Sequence, residues 1–232
     1  MILNSKYYFL IVLLFSEVFA SGWTDLGSEQ PSEPVWQIDF NDSDNIKIAF
    51  EMNGYFKTLH NNGKIRVSFP GSTPILQEGA PNLPRTVRSI IIPDQANMEL
   101  SITDFEYLDI QINNVEPSKG NLIRNIDPST VPYKYGIQYE TDAFYPKEIA
   151  FLRDPYILRT LRGQSIVLQP IQYNPIKKIL RVYTTINVSI KASGIGGINQ
   201  LIRKPLNSES REFENIFKDH FINYPTNDRY DV

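Results

Sequence analysis

The sequence contains no cysteine. That excludes a disulfide framework, a cysteine nucleophile and any cysteine-ligated metal. Only two histidines are present, His60 and His220, and neither has an acidic neighbour at metal-ligand spacing. Both read as surface or core residues rather than ligands. No G-x-S-x-G, Walker or zinc signature occurs. Asp and Glu are plentiful, but no spacing singles out a catalytic pair. Asp39, Asp42 and Asp44 alternate in "DFNDSDN". They lack the glycine and distal glutamate of a calcium loop and read as a solvated turn. The net charge of -3 gives no global field for nucleic acid. No metal, cofactor or nucleic-acid partner is expected. The longest apolar run, "YYFLIVLLF", is too short to span a bilayer comfortably.

That run has another use. Lys6 precedes it and the small residue Ala20 follows "VF". The pattern is that of a secretory signal peptide over residues 1–20, cut between Ala20 and Ser21. Residues 21–34, "SGWTDLGSEQPSEP", are polar and turn-rich and read as a flexible mature N-terminus.

What remains is rich in strand formers, with 13 Tyr and 13 Phe, and in turn formers, with 16 Pro. "VWQIDF" sets Trp36, Ile38 and Phe40 against Val35, Gln37 and Asp39. Asn62-Gly63 marks a hairpin. "MELSITDFEYLDIQI" alternates again. In "KILRVYTTINVSIKA", Leu180, Val182, Ile186, Val188 and Ile190 share one face at period two. Strands recur every ten or so residues between turns, so an all-β antiparallel sandwich is expected, immunoglobulin-like or jelly-roll-like. One short C-terminal helix is expected after "GIGGI", with Ser208 as N-cap, Glu209 in its first turn, and a stripe of Phe213, Ile216, Phe217 and Phe221. The domain is set at residues 35–221, with residues 222–232 as an exposed linker. Asn174-Pro175 and Asp154-Pro155 read as turn devices. Arg159, Arg162 and Arg181 read as sheet-surface or paired residues. Tyr133, Tyr135 and Tyr145 read as rim or core aromatics.

The most informative stretch is "EPSKGNLIRNIDPSTVPY", Glu116 to Tyr133. It is long, polar and bracketed by Pro117, Pro128 and Pro132. Loops of this length are functional or disordered. Around it run "PSKG" with Arg124 four residues on, "VPYKYG", "FYPKEIA", "DPYILRTLRGQ", "QYNP" and "LRVYTTI". Upstream stands "EGAPNLPRTVRSIIIP", and downstream "FENIFKDHFINYPTNDRY". This ordered set resembles the propeptide domain of the gingipain family, caspase-like cysteine peptidases secreted by Bacteroidota. The resemblance covers most of residues 35–230.

The resemblance implies a β-sandwich that assists folding of a peptidase domain and holds it latent, in cis within a precursor or in trans. It implies that a basic loop residue enters the specificity pocket, and that cleavage after a basic residue at the junction releases the domain. By position, the inhibitory residue is Arg124, on a loop from Lys119 through Gly120 to Pro128. Lys119 is the rival. The processing site is Arg229-Tyr230. The family's catalytic His and Cys have no counterpart here, so the chain is expected to be non-catalytic. Whether it is a fragment, a truncated gene product or a stand-alone inhibitor stays open. The route implied is export to the periplasm, then the cell surface or medium. An acidic pocket suits the planar fork of arginine, a charge-assisted contact of about 1.5–3 kcal/mol. A reading of a different class is a secreted adhesin or carbohydrate-binding module with sugar-stacking tyrosines.

Overall fold

The computed structural model describes residues 21–42, 44–60, 62–202 and 211–225. Strands β1 (Ser21–Asp25), β2 (Val35–Asp42), β3 (Asn45–Glu51), β4 (Gly54–Leu59), β5 (Ile65–Ser68), β6 (Thr73–Pro74), β7 (Pro84–Ile91) and β8 (Ala96–Gln111) come first. A long connection follows, with 3-10 turns at Pro128–Thr130 and Ile137–Tyr139. Then come β9 (Ala150–Leu152), β10 (Tyr156–Leu158), β11 (Leu161–Leu168), β12 (Ile171–Asn174), β13 (Ile179–Ile195) and helix α1 (Arg211–His220).

All named strand pairs are antiparallel, in three sheets. β13 organises one of the two five-stranded sheets. β8 runs along one edge of it, and β12 and β3 share the other. Its even-numbered residues Leu180, Val182, Ile186, Val188 and Ile190 are buried, as their period requires. They pack in one core with Ile46, Ile48 and Phe50 of β3, Ile90 of β7, and Ile166 and Leu168 of β11. The all-β sandwich with one short helix is borne out.

Residues 21–34 differ from the expectation. They are not a free end. β1 pairs with β4 over its whole length, and the Trp23 ring lies 5.0 Å from Phe56. Gly54 makes room for that indole, since a Cβ there would fall 2.2 Å from it. Trp23 Nε1 donates to Ser28 O, and Glu33 pairs with Arg88 at 3.0 Å. A turn-rich composition hid one large aromatic with a partner waiting. Phe40 also departs from its alternation. A bulge between Ile38 and Phe40 turns it outward, where it is exposed.

α1 docks by Phe213, Phe217 and the following Phe221 against Leu161, Ile91 and Tyr156. Ile216 stays exposed, because the contact is narrower than the full stripe. The domain also extends past 221. Asn223 is buried, its side chain accepting from Ile91 N and donating to Ile91 O. Those two bonds mimic a strand partner, so residues 222–224 belong to the sandwich rather than to a linker. The signal segment with Ala20, the cap residues Ser208 and Glu209, and the junction Arg229-Tyr230 lie outside the described residues. Ser21 opens β1.

Candidate functional site

The connection from β8 to β9 leaves the sandwich through a stalk. Residues 115–118 are pinned on both sides. Glu116 N donates to Ile65 O at 2.9 Å, and Asn82 N donates to Glu116 O at 2.8 Å. Ser118 N donates to Ala80 O, and Gly79 N to Ser118 O. Gly120 then turns with φ 77°, the left-handed region that favours glycine, and packs against Glu78.

The return limb is pinned as well. Tyr133 OH donates to Glu116 Oε2 at 2.9 Å. Lys134 pairs with Glu78 at 2.7 Å, and Gly136 N donates to Gly79 O at 2.8 Å. Tyr145, half-buried, donates its hydroxyl to Gln77 at 3.1 Å. Tyr135 is exposed and stacks edge-on with Tyr139. Beneath the loop lies a groove of about 580 Å³, lined by His60, Arg66, Asn82, Glu116, Lys119 and Tyr133 among others.

Glu116 closes the stalk. It is 1% exposed, yet it takes Arg66 Nε at 2.5 Å and Asn82 Nδ2 at 2.7 Å on one oxygen and Tyr133 on the other. Burial alone pushes its carboxyl up. The hydrogen bonds from Arg66, Asn82 and Tyr133 and the Arg66 charge outweigh this and hold it below the ordinary range. His60 Nε2 stands 3.6 Å away, beyond hydrogen-bond range.

The two basic candidates are treated differently. Lys119 folds inward. Its Nζ donates to Pro128 O at 2.6 Å and sits 4.4 Å from the centroid of the Tyr133 ring. Arg124 is exposed at the tip, in a tight turn closed by Ile126 N to Ile123 O at 3.0 Å. Among the described residues its guanidinium has no hydrogen bond or ion pair. Ile123 and Ile126 beside it are 64% and 38% exposed. Past the tip, Asp127 caps the 3-10 turn that opens with Pro128. Bonds from Ser129, 2.8 Å at the backbone N–H, lower its carboxyl from the ordinary value.

Comparison with known proteins decides the family. The family model Propeptide_C25 matches residues 28–228. This chain belongs to that family. It is 35% identical to Gingipain R1 of Porphyromonas gingivalis over 181 residues, 77% of this chain and 18% of the relative. Against Gingipain R2 of the same species it is 38% identical over 157 residues, 68% of this chain and 21% of the relative. The chain thus spans about a fifth of the curated relatives it matches. A solved complex of P. gingivalis RgpB pro- and mature domains matches with TM-score 0.72 and 31% identity, over 82% of this chain and 98% of that one. A structure described as concerning zymogenic latency of gingipain K matches in fold, with TM-score 0.63 at 20% identity, over 75% of this chain and 99% of that one. The family, of the arginine-specific gingipain type, agrees with the resemblance carried by the loop motifs.

Within this family member, the loop residues Lys119, Gly120, Arg124 and Pro128 fall on one excursion, held by residues the sequence did not mark. Glu116 is the main omission, since its partners Arg66 and Asn82 lie far away in sequence. Arg162 is the other correction. It is not on the surface, and its main partners are backbone carbonyls, with the Asp94 charge acting on it as well. It is 1% exposed and donates to Pro93 O, Ala96 O, Ile198 O and Asn199 O at 2.6–2.9 Å. Arg181 is paired as expected, its Nε and Nη2 donating to the two carboxylate oxygens of Asp109 at 2.8 Å. Arg159 covers the Phe213 ring. Asn174 caps its turn by accepting from Lys177 N at 2.9 Å. Among the described residues no group of three or more His, Asp or Glu could hold a metal ion. No helix among them is long and apolar enough to cross a membrane.

Proposed function

We propose that this propeptide domain keeps a gingipain-type cysteine peptidase latent by placing Arg124 in the peptidase's specificity pocket. One observation carries the reading. Of the loop's two candidate basic residues, Lys119 is bound within the loop and Arg124 is presented bare at its tip. An unpaired guanidinium gives up only water when it meets a carboxylate, and its planar fork can bind both oxygens. The pinned stalk lowers the ordering cost of docking.

The same reading covers the domain's wider role. In it the domain is the non-catalytic part of a peptidase precursor and assists folding of the peptidase domain. In a precursor, the shared chain holds the two domains at an effective concentration of about millimolar. Cleavage after Arg229 ends that advantage. Export through the signal segment, with cleavage between Ala20 and Ser21, takes the domain to the periplasm and then to the cell surface or medium.

The test is a titration of the chain against the mature domain of an arginine-specific gingipain. Arg124→Ala is expected to weaken inhibition by roughly 30-fold or more, the equivalent of about 2 kcal/mol. Lys119→Ala is expected to leave most of it. A strong loss with Lys119→Ala and none with Arg124→Ala would overturn the assignment. No inhibition by the unaltered chain would overturn the function.

A further inference from the structure

Glu116 is a buried charge with no part in contacting a peptidase, because it is 1% exposed. Its partners show what it does. Arg66 lies on β5, Asn82 precedes β7, and Tyr133 lies on the loop's return limb. Glu116 itself stands at the base of the outgoing limb, next to Pro117. One carboxylate therefore joins both limbs to two separate parts of the sandwich. The order passes outward from there. Tyr133 is fixed by Glu116, Lys119 lies over the Tyr133 ring, and Lys119 Nζ holds Pro128 O. Pro128 opens the 3-10 turn that follows the Arg124 tip.

We infer that Glu116 is a positioning residue, the clamp that holds the two limbs of the loop together and so presents Arg124 for docking. The inference rests on the inhibitory reading of the loop given above. The clamp acts through pre-organisation. A loop with free limbs must be ordered at the moment of docking, and affinity falls by that cost. A carboxylate suits the position because three donors from different segments converge on its two oxygens, and it can accept from all of them at once.

Two variants test it, each prepared in the otherwise unaltered chain. Glu116→Gln keeps the shape and removes the charge. Tyr133→Phe introduces no polar group and removes only the bond to Oε2, leaving Glu116 held through Oε1 by Arg66 and Asn82, so it stays informative where the first variant fails to fold. Amide hydrogen exchange is read first. Exchange across residues 118–133 is expected to rise about tenfold or more in Glu116→Gln, and less in Tyr133→Phe, while β3 and β13 keep their protection. Inhibition of an arginine-specific gingipain is read second, in a cycle with Arg124→Ala. The loss caused by Arg124→Ala is expected to shrink in either clamp variant, because an arginine already badly presented has less to lose.

Unchanged loop exchange in a folded clamp variant overturns the inference. So does faster exchange with full inhibition, or a strictly additive cycle, which would leave Glu116 a purely structural role. An Arg124→Ala variant that inhibits fully sinks the inhibitory reading instead. The exchange result then still decides whether Glu116 orders the loop.

Discussion

Replacing Arg162 by methionine removes four charge-assisted hydrogen bonds and leaves the volume nearly filled. The side chain is 1% exposed, and its guanidinium spans two segments, the turn at Pro93 and Ala96 and the strand exit at Ile198 and Asn199. Methionine can donate to none of these carbonyls. An unmet buried acceptor costs about 1–3 kcal/mol, and a partly wet one less. The bond to Ala96 O is buried and the other three are partly buried. The loss of burial for the guanidinium itself is favourable and offsets part of the sum. A net destabilisation of roughly 3–5 kcal/mol is expected. For a domain of this size that lowers the melting temperature by about 10 °C. Thermal and urea unfolding of Arg162→Met beside the unaltered chain read the effect, and exchange at residues 194–201 reads its location. A variant within 1 kcal/mol of the unaltered chain would show that water replaces the guanidinium at no cost, and that the four bonds do not order the strand exit.

Two further outcomes concern acid and the helix. The Glu116 carboxyl is held below its ordinary value in the folded chain, so the stability it contributes is complete above pH of about 4.5 and is lost as pH falls through the lower, folded value. Melting temperatures measured from pH 7 to 3 should fall less steeply at the acid end in Glu116→Gln than in the unaltered chain; parallel curves would refute this. At Gly163 an added Cβ would lie 2.5 Å from the Phe221 ring and 2.8 Å from Tyr156. Gly163→Ala is expected to cost about 1–3 kcal/mol and to undock α1, seen as faster exchange in residues 211–220 with the central sheet unchanged.

Period-two patterning made β13 legible because its own alternate residues pack into the central core along most of its length. It failed at Phe40, where one extra residue in β2 reverses the alternation, and a bulge leaves no mark in composition. Trp23 was hidden for a different reason. Its neighbours are turn formers, and the strand exists only because β4 offers an edge and Gly54 a space. The loop was visible through its prolines and its motifs, and so was Arg124. Glu116 was not, since a glutamate before a proline looks like any solvated loop residue until Arg66 and Asn82 arrive from elsewhere. Arg162 was hidden more deeply still. Its partners are backbone carbonyls, and any residue type can supply those. Non-local pairing, not local preference, decided each of these positions.

The arrangement around β13 also dictates when folding can finish. Ile48 faces Val188, and Phe50 faces Ile186, so β3 waits for a partner made long after it. Closing so long a loop is slow, and sheets of this kind assemble in about milliseconds to seconds rather than microseconds. Until residue 179 and beyond are available, Ile46, Ile48 and Phe50 have no central strand to cover them. The pairs of β1 with β4, β4 with β5 and β2 with β3 draw only on residues 21–68, but the central sheet cannot close over them until β13 is made.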